Sequence, residues 1–204
     1  MNNKLENSIQ RLVNSRDNEE TKEIYAEWQS YDSDLDEYGY VAPQTATTLL
    51  MEQLADKNAT IFDGGCGTGK VGTLLHAAGY QQLEGADLSE SMLSRAQSLG
   101  IYKNLSTADF SKTLDQADAS FDAVISVGVW KDGFGEKFTH EMVRLAKNGA
   151  TIVVTVRPQF MPALESVLDS LTNDGVIQVV SNQVHDYIKG QNSTAHYVVL
   201  RKTA

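Results

Sequence analysis

The sequence contains a single cysteine, Cys66, in 204 residues. An intrachain disulfide is therefore excluded, and we expect the reducing environment of the cytoplasm. Long apolar runs are also scarce, because the longest, residues 150–156, contains threonines and falls far short of the roughly 20 residues that cross a bilayer. The first residues include no apolar run of the secretory type. These absences predict a cytoplasmic protein without a membrane partner.

Positive charge is in short supply. The formal net charge is −10, and residues 17–37 contain nine acidic residues against one basic residue, Lys22. Such a surface repels phosphate backbones and anionic lipid, so we expect neither nucleic acid nor membrane as a partner. The acidic run has two interpretations: a solvated helix face that aids solubility, or a gate that attracts a cationic substrate.

Metal-ligating patterns are absent from the sequence. The four histidines lie in separate predicted elements, without HxH or HExxH spacing. They are His76, His140, His185 and His196. We expect no metal site and no Ser-His-Asp arrangement, and we assign the histidines to the surface or to structural roles.

From residue 61 onward, short β-rich runs alternate with helical patterns, which is typical of a parallel sheet covered by helices. The predicted strands are 60–64, 82–87, 103–107, 121–127 and 150–156, and the predicted helices are 69–79, 89–99, 136–147 and 160–172. The second of these helices is the clearest, since Ser89 is a suitable N-cap and Gly100 a suitable stop.

Two further β-rich runs, 176–180 and 197–200, are separated by too few residues for a crossover helix, so we expect them to pair antiparallel. Residues 4–14, 19–30 and 43–57 look helical. The prediction is an α/β fold with a seven-stranded, doubly wound, mostly parallel, Rossmann-like sheet that ends in an antiparallel hairpin. We expect residues 1–57 to form an N-terminal helical cap that belongs to the same domain as residues 58–204.

Four glycines lie at the end of the first predicted strand and directly after it, at positions 64, 65, 67 and 69. Glycines this dense let the backbone take positive φ and approach a ligand closely. Residues 64–70 fit the first seven positions of a P-loop, but Val71 stands where Ser or Thr must bind magnesium. Residues 67–72 fit the dinucleotide pattern GxGxxG with Asp87 as the later acid, so NAD remains an alternative.

A third pattern, D-x-G-x-G-x-G over residues 63–69, resembles motif I of the class I S-adenosylmethionine-dependent methyltransferases. Residues 85–89, 108–110 and 121–126 resemble the second-, third- and fourth-strand motifs of that family, in the same order. This resemblance implies S-adenosylmethionine as cofactor and S-adenosylhomocysteine as its product.

The resemblance extends beyond the cofactor motifs. Residues 25–32, 39–43 and 154–157 look like the methyltransferase-like family typified by the protein of the Williams-Beuren chromosome region. The similarity covers roughly residues 22–175, and the motifs do not specify the substrate.

The resemblance, with the chemistry of the cofactor, implies a role for each polar position. Asp63 would accept from the ammonium, directly or through water, Asp87 from the ribose diol, and Asp109 from the adenine amino group. In isolation, Asp87 and Asp109 could instead cap helices or turns. The full set of predicted cofactor-binding residues is Asp63, Gly65, Cys66, Gly67, Asp87, Leu88, Met92, Asp109, Phe110 and Ser126.

Methyl transfer from a sulfonium requires alignment and exclusion of water, while a dedicated base is optional. The catalytic candidates are Tyr31, Tyr38 and Tyr40 in the cap, Trp130 after the fourth strand and Arg157 after the fifth. The cap tyrosines could cover the sulfonium by cation–π attraction, or they could hold the cap in place. Arg157 could bind a carboxylate or phosphate of the acceptor, or it could pair with the acidic cap.

The prediction of the acceptor class depends on a sequence element that is absent after the fourth predicted strand. Residues 126–129 lack the Asn/Asp-Pro-Pro-Tyr/Phe element associated with methylation of amino groups of bases and glutamine. Together with the acidic charge, this favours a methyltransferase that acts on a small molecule. Two alternatives remain: a module that binds the adenosyl cofactor without turnover, and an NAD-binding oxidoreductase.

Overall fold

The computed structural model describes residues 7–9, 11, 12, 15 and 17–204. The predicted helix over residues 4–14 therefore lies largely outside the described residues, although 7–9, 11 and 12 are helical. Within the part of the chain that is described, no helix is long and apolar enough to cross a membrane.

Seven helices and seven strands follow one another in residues 17–204. The helices are α1 (Asn18–Glu27), α2 (Tyr31–Tyr38), α3 (Ala42–Gln53), α4 (Lys70–Ala77), α5 (Glu90–Ser98), α6 (Gly135–Leu145) and α7 (Met161–Asn173). The strands are β1 (Thr60–Gly64), β2 (Gln82–Asp87), β3 (Asn104–Thr107), β4 (Phe121–Ser126), β5 (Ala146–Val156), β6 (Ile177–Ile188) and β7 (Ser193–Lys202). A single 3-10 turn, Pro158–Phe160, precedes α7.

The strands form one seven-stranded sheet in the order β3-β2-β1-β4-β5-β7-β6. The first five strands are parallel, and β7 pairs antiparallel with both β5 and β6. The predicted fold class, including the antiparallel hairpin at the C-terminal end, is confirmed. Strand order reverses between β1 and β4, and this switch point is where sheets of this kind bind ligands.

The central strands of the sheet are buried on both faces, which explains why they read as continuous apolar runs. Ile61 packs into a core on one face with α3 and α4, through residues such as Leu50 and Leu75. Its neighbour Phe62 points to the opposite core, which α6 and α7 cover. The glycine turn that follows β1 is therefore held by a rigid, two-sided core.

The differences from the predicted elements are local. The predicted helix over 19–30 ends at Glu27, and α2 follows after Trp28, with Gly39 closing it in the left-handed conformation at φ 83°. Strand β5 begins at Ala146, so the predicted helix 136–147 was too long and the predicted strand 150–156 too short. Strand β6 runs on to Ile188. Most of its residues are exposed and many are polar, so a search for apolar runs detected only its beginning.

Candidate active site

The carboxyl ends of the parallel strands and the N-terminal helices enclose a cavity of about 290 Å³. Its lining includes Tyr25 of α1 and Trp28 just after it, Gly65 and Gly67 after β1, Asp87 and Leu88 at the end of β2, Asp109 and Phe110 after β3, Gly128 to Trp130 after β4, Arg157 after β5 and Tyr187 of β6. A larger groove of about 810 Å³ lies beside α6 and α7, but Trp130 is the one predicted site residue that lines it. Most of the predicted site residues thus line the smaller cavity.

The glycine turn presents bare backbone to this cavity at Gly67. Gly67 has φ 54°, and a Cβ there would meet no other atom within 4 Å. Gly65, at φ 80°, differs, because its Cβ would lie 2.1 Å from Cγ2 of Val129. The Gly65 and Cys66 amides donate to the carbonyl of Ala86 on β2, at 2.8 and 3.0 Å, which fixes the turn. Gly67 is therefore free to meet a ligand, while Gly65 is needed for packing.

Asp87 ends β2 and holds the turn from the other side. Its Oδ2 accepts from the Gly67 amide and its Oδ1 from the Ser89 amide, both at 2.8 Å. Burial raises the pKa of Asp87, while these amide donors oppose the rise. The carboxylate lines the cavity and also organises the backbone around it. A structural role, which the sequence left as an alternative, is thus present alongside a position suited to binding.

The loop after β3 forms the next part of the lining. Partial burial opposes ionisation of Asp109, but donors from Ser111, Lys112 and Asn18 together lower its pKa to about 2. Its Oδ1 accepts from the Ser111 amide at 3.0 Å and from the Ser111 hydroxyl at 2.6 Å. Leu88, Met92 and Phe110, three apolar residues of the predicted cofactor-binding set, also line the cavity.

Three predicted cofactor residues lie behind the lining: Asp63, Cys66 and Ser126 are buried and are not among the residues that line the cavity. Burial raises the pKa of the Cys66 thiol, so the side chain stays protonated and packs as a small apolar group. The Ser126 hydroxyl oxygen is buried without a hydrogen-bond partner.

Asp63 is hydrogen-bonded to Tyr102, a residue that the sequence motifs did not indicate. The Tyr102 hydroxyl donates to Oδ2 of Asp63 at 2.7 Å, whereas Oδ1 is buried without a partner. Burial raises the pKa of Asp63 to about 7, an effect that the Tyr102 donor opposes and the charge of Asp87 reinforces. The acid of the glycine motif is therefore titratable near neutral pH.

Tyr102 also explains two glycines that fitted the dinucleotide pattern. A Cβ at Gly72 would lie 2.2 Å from the Tyr102 hydroxyl, and one at Gly69 would lie 3.3 Å from the Tyr102 ring and 2.6 Å from Leu99. These glycines make room for side chains of the protein. The GxGxxG match thus arises partly from packing.

Lys70, which fitted the P-loop pattern, forms ion pairs with α2. Its ammonium lies 2.6 Å from Asp36 and 3.5 Å from Asp32, both on α2. The Thr68 hydroxyl donates to Asp32 at 2.7 Å. Part of the acidic run therefore anchors α2 to the glycine turn, an arrangement that neither sequence interpretation of that run included.

The catalytic candidates separate into two groups. Tyr40, Trp130 and Arg157 line the cavity. Tyr38 lines a neighbouring cavity of about 340 Å³, which Arg157 also lines. Tyr31 packs edge to face on Trp28, with ring centroids 5.1 Å apart, and does not line the cavity.

Trp130 combines packing with lining. Its ring fills the space that a Cβ at Gly135 would need, at 2.4 Å, and its Nε1 donates to the Thr139 hydroxyl at 3.0 Å. The indole is therefore fixed in orientation and presents a rigid apolar wall.

Several lining residues had no signal in the sequence that linked them to a site. They are Tyr25, Trp28, Lys131, Phe160 and Tyr187. Tyr187 is separated from the glycine turn by about 120 positions, and it reaches the cavity because β7 places β6 beside the cap, where Val41 donates to the Tyr187 carbonyl at 3.1 Å. No local pattern in β6 indicates this contact, because most of the strand is exposed and Tyr187 and Ile188 become buried only at its end.

Comparison with known proteins identifies the family. A profile described as a methyltransferase domain matches residues 61–149. The chain is 35% identical to methyltransferase-like protein 27 of Homo sapiens over 162 residues, which cover 75% of this chain and 66% of the human protein. The chain contains a class I S-adenosylmethionine-dependent methyltransferase domain. The cofactor predicted from the glycine motif, S-adenosylmethionine, is the cofactor of this family.

Solved structures share the fold of this methyltransferase. A putative methyltransferase of Haloferax volcanii, solved in complex with the Trm112 methyltransferase activator, matches with a TM-score of 0.72 and 14% identity over 90% of this chain and 97% of that one. Magnesium protoporphyrin IX methyltransferase of Synechocystis PCC 6803, solved with S-adenosylhomocysteine, matches with a TM-score of 0.60 and 16% identity over 79% and 83%.

The curated relatives are longer than their matched regions. The chain spans 66% of the human relative and 52% and 53% of two further curated methyltransferases.

Proposed function

We propose that this methyltransferase transfers the methyl group of S-adenosylmethionine to a small-molecule acceptor inside the cavity at the carboxyl edge of the sheet. One observation carries the proposal: a single cavity joins the predicted cofactor residues to a group of aromatic residues and Arg157. A cavity of about 290 Å³ that a helical cap covers suits a small molecule better than a macromolecule. When bound, S-adenosylmethionine supplies a methyl group already activated by its sulfonium.

The residues on the β2 and β3 side suit the cofactor. The Asp87 carboxylate is fixed by two amide donors and retains lone pairs for a ribose diol. Asp109 stays ionised at neutral pH and can accept from an amino group. Leu88, Met92 and Phe110 supply apolar walls, and the bare backbone of Gly67 permits close approach.

Two buried polar atoms support a ligand at the switch point. Asp63 lies at the penultimate position of β1 and Ser126 ends β4; among the described residues, neither Oδ1 of Asp63 nor the Ser126 hydroxyl has a hydrogen-bond partner. Buried polar groups are nearly always hydrogen-bonded, so such atoms favour a bound ligand or a water that the ligand retains. We propose that Asp63 acts toward the ammonium of the cofactor in this way, through water.

We also propose that residues 1–57 act as a cap within the same domain as 58–204. The described part of this segment is tied to the catalytic unit by Lys70 with α2 and by Arg95, whose guanidinium donates to the Trp28 carbonyl at 3.1 Å. Tyr25 and Trp28 of the cap line the cavity directly. Such a cap would exclude water and orient the acceptor, which methyl transfer from a sulfonium requires.

Calorimetry tests the cofactor. The purified protein is titrated with S-adenosylmethionine, S-adenosylhomocysteine and NAD in parallel. We expect both adenosyl compounds to bind and NAD not to bind. Binding of NAD alone would overturn the proposal and support the oxidoreductase alternative.

Turnover requires a separate measurement, the release of S-adenosylhomocysteine with a panel of small metabolites as acceptors. Release with one chemical class supports the proposal. Cofactor binding without release from any acceptor would support the alternative of a binding module without turnover. The screen is repeated with candidate activator proteins, because the Haloferax volcanii neighbour was solved with a protein activator.

We propose a cytoplasmic location, supported by the single cysteine in the sequence. Fractionation of the native host with antibody detection tests it, and recovery in an oxidising compartment would contradict it.

A further inference from the structure

Arg157 is a cation without an anionic partner at the end of the cavity away from the cofactor residues. Within the described chain it forms no ion pair, and its Nε is buried without any hydrogen-bond acceptor. Its guanidinium carbon lies 4.9 Å from the ring centroid of Tyr187, so the side chain is held by a cation–π contact. A buried guanidinium nitrogen without an acceptor points to a ligand that supplies one.

Two phenol hydroxyls lie beside Arg157. The Tyr40 hydroxyl donates to the Tyr187 hydroxyl at 3.4 Å, and the rings meet edge to face with centroids 5.0 Å apart. Both hydroxyls face Gly128 at the end of β4, since a Cβ there would lie 2.7 Å from the Tyr187 oxygen and 3.1 Å from the Tyr40 oxygen. Burial raises the pKa of both tyrosines, although the Arg157 charge opposes this at Tyr187. The phenols therefore remain protonated at neutral pH. Because Tyr40 donates its proton to the Tyr187 oxygen, the Tyr187 hydroxyl is the one that can donate to a ligand.

The charges of the cavity are separated by the order of the strands. Asp87 and Asp109 follow β2 and β3 on one side of β1, while Arg157 follows β5 on the far side of β4. An anion at Arg157 thus avoids the two carboxylates assigned to the cofactor. The neighbouring cavity of about 340 Å³, also lined by Arg157, contains the buried and unpartnered hydroxyl of Ser193.

We propose that the methyl acceptor carries a carboxylate, which Arg157 binds with the hydroxyl of Tyr187 as a further donor. The inference rests on the proposed function, and it specifies the chemical class of the acceptor. The planar guanidinium matches the two oxygens of a carboxylate. The body of the acceptor would pack on the apolar walls that Trp130 and Phe160 provide, whose ring centroids are 6.1 Å apart.

A carboxylate is favoured over a phosphate because one guanidinium and two neutral phenols supply a single positive charge. A phosphate carries a second negative charge near neutral pH and would need a second cation in the same place. Lys131, the other cation of the lining, is directed to the Phe134 ring, with its ammonium 5.9 Å from the ring centroid.

The test uses the full-length protein saturated with S-adenosylhomocysteine and three probes: sodium benzoate, the neutral isostere benzamide, and inorganic phosphate. Binding is followed by calorimetry. We expect benzoate to bind in the millimolar range and at least tenfold more tightly than benzamide or phosphate. Because a hydrogen bond to a charged group is lost, Arg157→Gln should lower the affinity for benzoate by roughly tenfold to a hundredfold. Tyr187→Phe should lower it by roughly threefold to tenfold.

Matched variants keep the result interpretable. Arg201→Gln removes a guanidinium that donates to the Gly149 carbonyl near the opposite end of β5, and it should leave benzoate affinity unchanged. Arg157→Lys keeps the charge and should retain part of the affinity, which covers the case in which Arg157→Gln does not fold. Every variant must still bind S-adenosylhomocysteine, so that a failure of the carboxylate assignment is distinct from a failure of the proposed function.

Three results would overturn the assignment. One is cofactor binding by the wild type without benzoate binding, and another is phosphate binding as tight as that of benzoate. The third is a loss of benzoate affinity in Lys131→Gln with none in Arg157→Gln, which would move the anion site to Lys131.

Discussion

Ionisation of Asp63 should make the stability of this protein depend on pH in an unusual direction. The side chain is 2% exposed, and burial raises its pKa to about 7, whereas an aspartate in an unfolded chain has a pKa of about 3.9. Between these two values the folded state binds more protons than the unfolded state. The free energy of unfolding that depends on Asp63 is therefore fully present below about pH 4 and is lost as the pH rises toward 7.

The magnitude follows from the difference between the two pKa values. Each unit corresponds to about 1.4 kcal/mol, so the loss between pH 4 and pH 7 amounts to about 4 kcal/mol as an upper bound. The isosteric variant Asp63→Asn cannot ionise, and its amide oxygen can still accept from Tyr102. Between pH 4 and pH 7, the unfolding free energy of the wild type should therefore fall, relative to that of the variant, by up to that amount.

The assay is urea denaturation of both proteins at pH 4.5, 6 and 7.5, with the free energies obtained by linear extrapolation. Subtracting the variant from the wild type removes the titration of groups common to both. Tyr102→Phe serves as a second variant: it removes the donor that favours the carboxylate, so the transition should move to higher pH. If the difference in unfolding free energy between wild type and variant stays constant from pH 4.5 to 7.5, the reasoning is refuted, since Asp63 would then have the same pKa in the folded and unfolded states.

Three further predictions concern the turn and the cap. Asp87→Ala should lower the affinity for S-adenosylhomocysteine by roughly tenfold to a hundredfold in calorimetry, and unchanged affinity would mean that the ribose lies elsewhere. Lys70→Gln, which breaks the ion pairs with α2, should lower the free energy of unfolding by no more than about 1 kcal/mol, since these pairs are partly exposed, but should speed proteolysis before residue 42. Gly72→Ala should cost about 1–3 kcal/mol in urea denaturation, and Tyr102→Ala should make that substitution milder because the clash is with the Tyr102 ring.

These predictions have their own controls. For Asp87→Ala, a thermal melt separates loss of ligand contacts from loosening of the turn, because Asp87 also accepts from the Gly67 amide. For Lys70→Gln, high salt should bring the wild type toward the variant, since screening weakens exposed ion pairs. Equal proteolysis in both proteins at low salt would show that the cap is held by its apolar contacts alone. Additive costs for Gly72→Ala and Tyr102→Ala would show that the two positions do not meet.

Local patterns were enough to predict the sheet and the family. The apolar runs of β1 and β4, the alternation with helices, and the acid-glycine motif at 63–69 depend on neighbours within a few positions. The same holds for the N-cap of α5, where Ser89 accepts from the Met92 amide at 3.4 Å. Such features follow from backbone conformation and side-chain period, which the order of residues determines directly.

The sequence by itself determined the cofactor and the strand ends that carry its acids, because β1, β2 and β3 are parallel neighbours and their carboxyl ends must meet. Tertiary structure alone decided how the glycines are divided between ligand and packing, since Tyr102 closes on Gly72 from a distant segment. It also decided that Lys70 binds α2 and that Tyr187 joins Arg157 in the cavity. Contacts between residues so far apart depend on how whole elements pack, and no local pattern contains that information.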